Sequence, residues 1–162
     1  MDFTKAGVPT TGVQQVTTAV IVGTVSTAGN ATVTVTGAGI TGSPVAVSVA
    51  LALNDTTTQS AAKMAAALNL NAAIAAMYTA SSNAANLLLT AVKCAANDAT
   101  LNIAYTNDTC AGLTPDATSD ATTAGVRGDF RGAAHLAYAL NTTANAIYQN
   151  TGTGACPVWT EV

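Results

Sequence analysis

The sequence predicts an α+β fold in which strand-rich segments surround one main helix, and two kinds of periodicity predict it. Ala31–Thr36 alternates Thr with Val, and Val45–Leu53 alternates apolar residues with smaller ones. This period of two is typical of a half-buried strand. Thr57–Leu68 instead repeats its apolar residues at helical spacing, with Met64 and Leu68 the largest of them. Extended and helical segments therefore follow one another along the chain.

The helix has a start signal in its sequence. Asn54-Asp55-Thr56 precedes the alanine-rich run, and Asn, Asp and Thr are the residues that cap helix N-termini. Because Met64 and Leu68 are one helical turn apart, both side chains lie on the same face. We therefore expect a helix near residues 57–68 that turns Met64 and Leu68 toward a sheet.

The remaining segments define the predicted domains. A first strand is expected at Gln14–Val25, and after the helix come strands at Tyr78–Ser81, Leu87–Lys93 and Thr100–Thr106, with Asn107–Thr123 as a loop. The order is strand-strand-helix-strand-strand, an α+β layer arrangement. The predicted division is residues 1–23 as a β-rich N-terminal arm and first strand, 24–125 as a central α+β domain, and 126–162 as a C-terminal β-hairpin unit.

The C-terminal hairpin is expected to be an interface. Ala146–Gln149 and Pro157–Val162 read as two strands joined by a loop with two glycines. A lone hairpin is only marginally stable in water, so this one must dock on the main domain or on a neighbouring chain. Large rings give flat contact area at low entropic cost. The interface residues predicted on this basis are Tyr148, Pro157, Val158 and Trp159.

Low charge indicates self-association. Charged residues are 8% of the chain, against roughly 25% in an ordinary soluble domain. The formal net charge is only −3, so copies of the chain repel one another weakly. Five Lys and Arg residues in total give no basic patch, which argues against a nucleic-acid partner. No apolar run approaches the ~20 residues of a membrane-spanning helix, so no membrane partner is expected either.

No catalytic, cofactor-binding or metal-binding residues are predicted, and we expect the protein not to be an enzyme. The one histidine, His135, lacks a nucleophile motif or a second His at metal spacing, which favours a hydrogen-bonded structural role. Asp98, Asp108, Asp116 and Asp120 fall in turn segments, where Asp usually binds its own backbone. A calcium site of loop oxygens is the alternative, although their spacing does not match a 12-residue calcium loop.

Two further motifs are open to more than one interpretation. Cys94, Cys110 and Cys156 are an odd number without a CxxC pair, which argues against a disulfide framework and a zinc site. Cys94 and Cys110 would pair only if their strands were neighbours; otherwise the cysteines are small buried apolar residues. Arg127-Gly128-Asp129 is the tripeptide that integrin ligands display, but the simpler interpretation is a turn at Gly128.

Most of the chain resembles bacteriophage and prophage structural proteins. Roughly residues 24–125 look like a module of predicted virion proteins, and the end of the chain is similar to the "YxNTGT…PxWT" hairpin of phage capsid-associated and fibre proteins. The residues that carry the resemblance are Ala31–Thr36, Thr41–Pro44, Val47–Thr56, Ala95–Ala104, Thr109–Thr114, Ala146–Thr153 and Pro157–Thr160.

The resemblance implies a virion protein assembled in the host cytoplasm. The leading expectation is a multi-copy head decoration or capsid-associated protein, with copies of itself and the major capsid protein or another virion protein as partners. The glycine- and threonine-rich start would then lie along the shell. A tail tube or tail fibre component is the second expectation. The third is a host-glycan-binding module that uses Tyr138, Tyr148 and Trp159 as a sugar platform.

Overall fold

The computed structural model describes residues 3–130 and 132–162, and strands predominate in it. Strands make up 42% of the chain and helices 11%, which is compatible with a β-rich α+β fold. The described residues form two compact units. We call residues 16–92 and 98–123 the central unit, and residues 3–15, 93–97, 124–130 and 132–162 the composite unit.

The central unit contains most of the secondary structure. Its strands and helices are β2 Val16–Val20, β3 Gly23–Thr27, β4 Gly29–Thr36, β5 Val45–Leu51, α1 Thr57–Leu70, α2 Ala72–Ala75, β6 Tyr78–Asn83, β7 Asn86–Ala91, β8 Asn102–Asn107, β9 Ala111–Leu113 and β10 Asp120–Thr123. They form a four-stranded sheet in the order β10-β2-β7-β6, a three-stranded sheet β5-β4-β8 and a ribbon β3-β9. All pairings between these strands are antiparallel.

The composite unit is built on one sheet, which we call the C-terminal sheet. Its strands are β1 Thr4–Lys5, β11 Tyr138–Asn141, β12 Ala146–Asn150 and β13 Trp159–Glu161, in that spatial order. β1 is parallel to β11, whereas β11, β12 and β13 are antiparallel neighbours. The N-terminal residues thus supply an edge strand to a sheet made from the end of the chain.

Helix α1 begins where the sequence predicts. Thr56 is the N-cap, and its side chain and the Gln59 side chain form a capping box. The two donors at the helix start are therefore satisfied reciprocally. In the last turn of α1, the Asn69 side chain donates to the carbonyl of Ala80 and accepts from its N–H, both at 2.8 Å. This amide fixes the last turn of α1 to strand β6.

The core of the central unit lies between α1 and the sheets. Met64 and Leu68 are 0% exposed, which confirms the predicted orientation of the helix. The largest fully buried side chain in this core is Tyr105 on β8, whose hydroxyl donates to the Val20 carbonyl at 3.0 Å and accepts from the Val22 N–H at 3.1 Å. Burial raises the pKa of Tyr105. Because this buried hydroxyl has both partners, Tyr105 avoids the cost of an unpaired polar group at its position.

Two sequence-based strand and loop assignments differ from the structure. The predicted strand Gln14–Val25 is two strands in different sheets. Between them, the Ile21 N–H donates to the Ala85 carbonyl and the Val22 N–H donates to the Tyr105 hydroxyl, so neither residue continues the strand. Residues 107–123, predicted as a loop, contain β9 and β10. β9 and β10 are short and contain Ala, Gly and Asp, which are depleted in strands, so tertiary pairing decided these two.

The predicted N-terminal arm is also not a separate segment. Residues 3–15 belong to the composite unit, where Gly12 donates its N–H to the Pro157 carbonyl and Val13 pairs with Val126. Residues 16–23 belong to the central unit instead. The physical reason is that the backbone groups of a segment must be paired, and those of residues 3–15 find partners near the C-terminus.

Leu68→Ala and Leu70→Ala form a matched pair for the helix. Leu68 is fully buried, whereas Leu70 is 87% exposed. Because truncation of a buried Leu leaves a cavity, we expect Leu68→Ala to lower the free energy of unfolding by about 2–5 kcal/mol. Leu70→Ala should change it by about 0.5 kcal/mol or less. Urea unfolding followed by circular dichroism measures both; equal effects would contradict the described packing.

Candidate interaction surface

The C-terminal sheet has one buried and one exposed face. Along β11 the side chains alternate exposed and buried, and the same alternation continues on β12. Ala139, Tyr148 and Trp159 lie on the buried face, while Tyr138, Leu140 and Ile147 are exposed. Since successive strand residues point to opposite sides, this pattern fixes which face of the sheet meets water.

Three aromatic rings pack beneath the buried face. Phe130 lies 5.6 Å from Trp159 and 5.5 Å from Phe3 between ring centroids, both in edge-to-face geometry. The Trp159 indole also donates its N–H to the Asp129 carbonyl at 3.3 Å. Edge-to-face pairs add about 0.5–1.5 kcal/mol each beyond the area they bury. The buried ring of Trp159 and the partly buried rings of Phe3 and Phe130 therefore form a small core.

Tyr148 is buried on the same face but does not pair with Trp159. In the sheet register Tyr148 is opposite Glu161, and Trp159 is opposite Asn150. The Tyr148 hydroxyl donates to the Glu161 carboxylate at 3.2 Å. Burial, and then the nearby Glu161 charge, raise the pKa of Tyr148.

The side chain of Asn150 holds the loop of the hairpin in place. Its side-chain N–H groups donate to the carbonyls of Ala133 and Ala134, both at 3.1 Å. Its side-chain oxygen accepts from the N–H of Gly152 at 3.0 Å and of Val158 at 3.1 Å. The amide is fully buried and satisfied at both ends, so it ties the two sides of the loop to the preceding segment.

The predicted interface residues are mostly internal. Tyr148, Pro157 and Trp159 are buried within the composite unit, and Val158 alone of the four is exposed. The hairpin docks, as its marginal stability requires, but it docks on residues of its own chain. In this conformation three of the four side chains are not available to another subunit.

The exposed face offers a different apolar surface. Val162 is 68% exposed, Tyr138 57%, Ile147 48% and Leu140 36%. Leu140 pairs with Ile147, and Ile147 accepts a hydrogen bond from the Val162 N–H at 3.0 Å, so these three form one row across β11, β12 and the residue that follows β13. We call these four residues, with Gln149 and Thr160, the outer face. The sequence does not predict this face, because residues 126–145 have no strand signal that assigns β11.

The outer face lacks charged side chains. Lys5 is opposite Asn141 in the sheet register, and Glu161 is opposite Tyr148. Asn141 and Tyr148 are on the buried face, so both charged residues belong to that face and not to the outer face. On the outer face Gln149 donates to the Tyr138 hydroxyl at 2.9 Å. Contiguous exposed apolar patches on folded proteins commonly mark interaction sites. The outer face is therefore the candidate interaction surface.

A disulfide lies in the composite unit. Cys94 and Cys156 are bonded, with 4.9 Å between their Cα atoms, and Cys110 is a free, buried thiol. The expectation against a disulfide is thus wrong, and neither cysteine of the bond pairs with Cys110. A Cβ added to Gly12 would lie 2.8 Å from the Cys94 Cβ, so only glycine fits beside the bond. The pairing is not visible in sequence spacing, since 62 residues separate the two cysteines.

Arg127-Gly128-Asp129 forms part of the fold. Gly128 is buried, and a Cβ there would lie 2.7 Å from the Gly12 nitrogen. The Asp129 carboxylate accepts from the Thr10 N–H at 2.6 Å and forms a salt bridge with Lys5. Burial alone would raise the pKa of Asp129, but the bonds from Lys5 and Thr10 outweigh it and lower the pKa. An engaged carboxylate does not suit display to a receptor.

The other polar residues occupy structural positions. His135 is exposed and its Nδ1 lies 3.3 Å from the Gly152 carbonyl oxygen. Asp98 accepts from the N–H of Ala38 and of Thr100, and Asp116 from that of Thr118. Within residues 3–130 and 132–162, no three His, Cys, Asp or Glu side chains are grouped to hold a metal ion.

Wider comparison gives no relatives for this arrangement. Protein-family models, curated protein sequences and solved structures yield no match to the chain. Among the described residues, no helix has the length and apolarity needed to cross a bilayer. The function must therefore be argued from the residues themselves.

Trp159→Ala tests the small aromatic core. Loss of a buried Trp typically costs about 3–5 kcal/mol, so we expect the composite unit to unfold at lower denaturant than in the wild type. Val158→Ala is the control, because its side chain is 38% exposed. Amide spectra recorded through a urea series report the two units separately. Wild-type stability of the composite unit in Trp159→Ala would contradict the packing described.

Reduction tests the disulfide. In the chain-entropy description, a bond that closes a loop of this length stabilises the fold by about 4 kcal/mol. We expect a reducing agent to lower the unfolding midpoint. In denaturant, thiol titration should count one thiol per chain before reduction and three after it, since two of the three cysteines are bonded. Three thiols in a freshly isolated, unreduced sample would contradict the bond.

Proposed function

We propose that this chain is a structural protein of a bacteriophage particle, present in many copies and held there by contacts with copies of itself and with the major capsid protein or another virion protein. A head decoration or capsid-associated role fits best. The observation that carries the proposal is the outer face, where Leu140, Ile147 and Val162 form an apolar row without charged side chains. The resemblance to virion proteins supports the particle assignment.

Energetics favour burial of the outer face in an assembly. Complete burial of an aliphatic side chain contributes about 1.5–3 kcal/mol, and the row offers three that are partly exposed. A stable interface usually covers about 800 Å² per partner, so the row would be the apolar centre of a wider contact. The surrounding Thr, Asn and Gln side chains would form its polar rim.

A tail tube or tail fibre protein would use the same kind of contact. The two roles differ in what the isolated chain does. A tube protein polymerises or stacks into rings alone, whereas a decoration protein remains a monomer or small oligomer until it meets a preformed shell. Electron microscopy of the purified protein, and of particles labelled with an antibody against it, separates these roles.

The glycan-binding alternative loses its main support. The proposed sugar platform consisted of Tyr138, Tyr148 and Trp159, and of these only Tyr138 is exposed. A sugar ring stacks on an accessible aromatic face. The buried rings of Tyr148 and Trp159 would first have to leave the core, at a cost comparable to their burial energy.

Ile147→Lys tests the proposal directly. The substitution places a charge in the middle of the apolar row, so we expect self-association or particle attachment to weaken at least tenfold, or about 1.4 kcal/mol. Ala144→Lys is the matched control, since Ala144 is exposed in the turn between β11 and β12. Sedimentation with and without particles measures both variants, and circular dichroism verifies that they fold.

The thermal midpoint gives an independent measure. If subunit contacts stabilise the fold, the wild-type midpoint should rise with protein concentration or on particle binding. Identical midpoints over a hundredfold concentration range, free and particle-bound, together with wild-type association by Ile147→Lys, would contradict the proposed function.

A further inference from the structure

Strand β5 is an open edge of the central unit. The three-stranded sheet has the order β5-β4-β8, and within residues 3–130 and 132–162 no strand pairs with the other side of β5. Its seven residues, Val45–Leu51, all pair with β4. A strand at a sheet edge presents unpaired N–H and C=O groups along its length, which form a template for another strand.

The usual protection of such an edge is missing from β5. Folded proteins discourage edge pairing by charged side chains, proline, bulges or very short strands. β5 has no charged residue and no proline in Val45–Leu51, and its register with β4 runs without a shift. On the core side Val45 and Val47 are only partly buried, although Val49 and Leu51 are buried. A further strand beside β5 would cover the exposed parts of these two valines.

The sequence of β5 is nearly palindromic. It reads Val-Ala-Val-Ser-Val-Ala-Leu, with Ser48 at its centre. An antiparallel copy centred on Ser48 would place Val47 against Val49 and Val45 against Leu51. Ala46 would meet Ala50 on the opposite face. Because opposed residues in an antiparallel pair lie on one face, apolar side chains would meet apolar ones and small side chains would meet small ones.

We propose that β5 pairs with β5 of a second copy about a two-fold axis at Ser48, which joins two three-stranded sheets into one of six strands. We assign this position beside β5 to a second copy because the sequence of β5 is complementary to itself. Two β5 strands also have no charged side chains that would repel each other. An isologous contact of this kind uses the same patch on both subunits. The inference rests on the self-association in the proposed function but uses a surface separate from the outer face.

A second self-contact on one chain has a consequence for assembly. One such contact ends in a dimer, whereas a second, different contact lets dimers join into larger arrays. A contact through β5 therefore extends what the outer face can build, and the two contacts can be removed independently.

A cysteine at the centre of the pairing tests the geometry. Opposed residues in an antiparallel pair have Cβ atoms about 4.5–5.5 Å apart, close to disulfide range. We expect Ser48→Cys to form covalent dimers on mild oxidation in several-fold higher yield than Thr106→Cys. Thr106 is the matched control because Ser48 and Thr106 are both opposite Thr32, on the two sides of β4, and both are exposed. Equal yields from the two variants would overturn the proposal.

A charge pair gives the second test and separates the two proposals. Ser48→Lys should weaken association at least tenfold, because two lysines would face each other across the axis, whereas Thr106→Lys should behave as wild type. If Ser48→Lys associates normally and Ile147→Lys does not, pairing through β5 is refuted while the proposed function stands. A wild-type chain that remains monomeric at every concentration, with and without particles, contradicts both.

Discussion

Burial of Trp159 against Phe3 and Phe130 is the contact on which the composite unit depends. These three rings come from β13, from the start of the chain and from the segment before β11, so their packing draws distant parts of the sequence together. Trp159 on β13 and Tyr148 on β12 lie on the same face of the sheet, so burial of Trp159 goes with burial of Tyr148. Ile147, the neighbour of Tyr148 along β12, then points to the exposed face. The candidate surface is thus a consequence of where the one tryptophan lies.

The other supports of this unit are polar and covalent. Asn150 bonds four backbone groups of the loop and the preceding segment, and Asp129 is held by Lys5 and Thr10. The bond between Cys94 and Cys156 adds a covalent constraint. A small apolar cluster leaves little margin of stability, and cross-links are a common remedy in small units. The same thin core makes stabilisation by neighbouring subunits physically useful.

The scarcity of charge has different effects inside and outside the fold. In the central unit, Lys63 bonds to Asp55, which stands just before α1, and this bond is the main cause of the lowered pKa of the Asp55 carboxyl. On the surface, however, neither the outer face nor β5 has a charged residue to exclude a neighbour. Ordinary soluble proteins keep such places charged. Neutral surfaces of this kind suit the proposed self-association.

The sequence by itself determined the elements whose signals are local. The capping residues and the apolar spacing predicted α1, and with it the positions of Thr56, Met64 and Leu68. The alternation of Thr and Val predicted β4. Both strands of the C-terminal hairpin were also predicted. Tertiary structure alone decided which face of the hairpin is buried, because a period of two identifies two faces without saying which one finds a partner. It also decided the bond between Cys94 and Cys156 and the pairing of β1 with β11, since contacts between residues far apart in sequence leave no periodic trace.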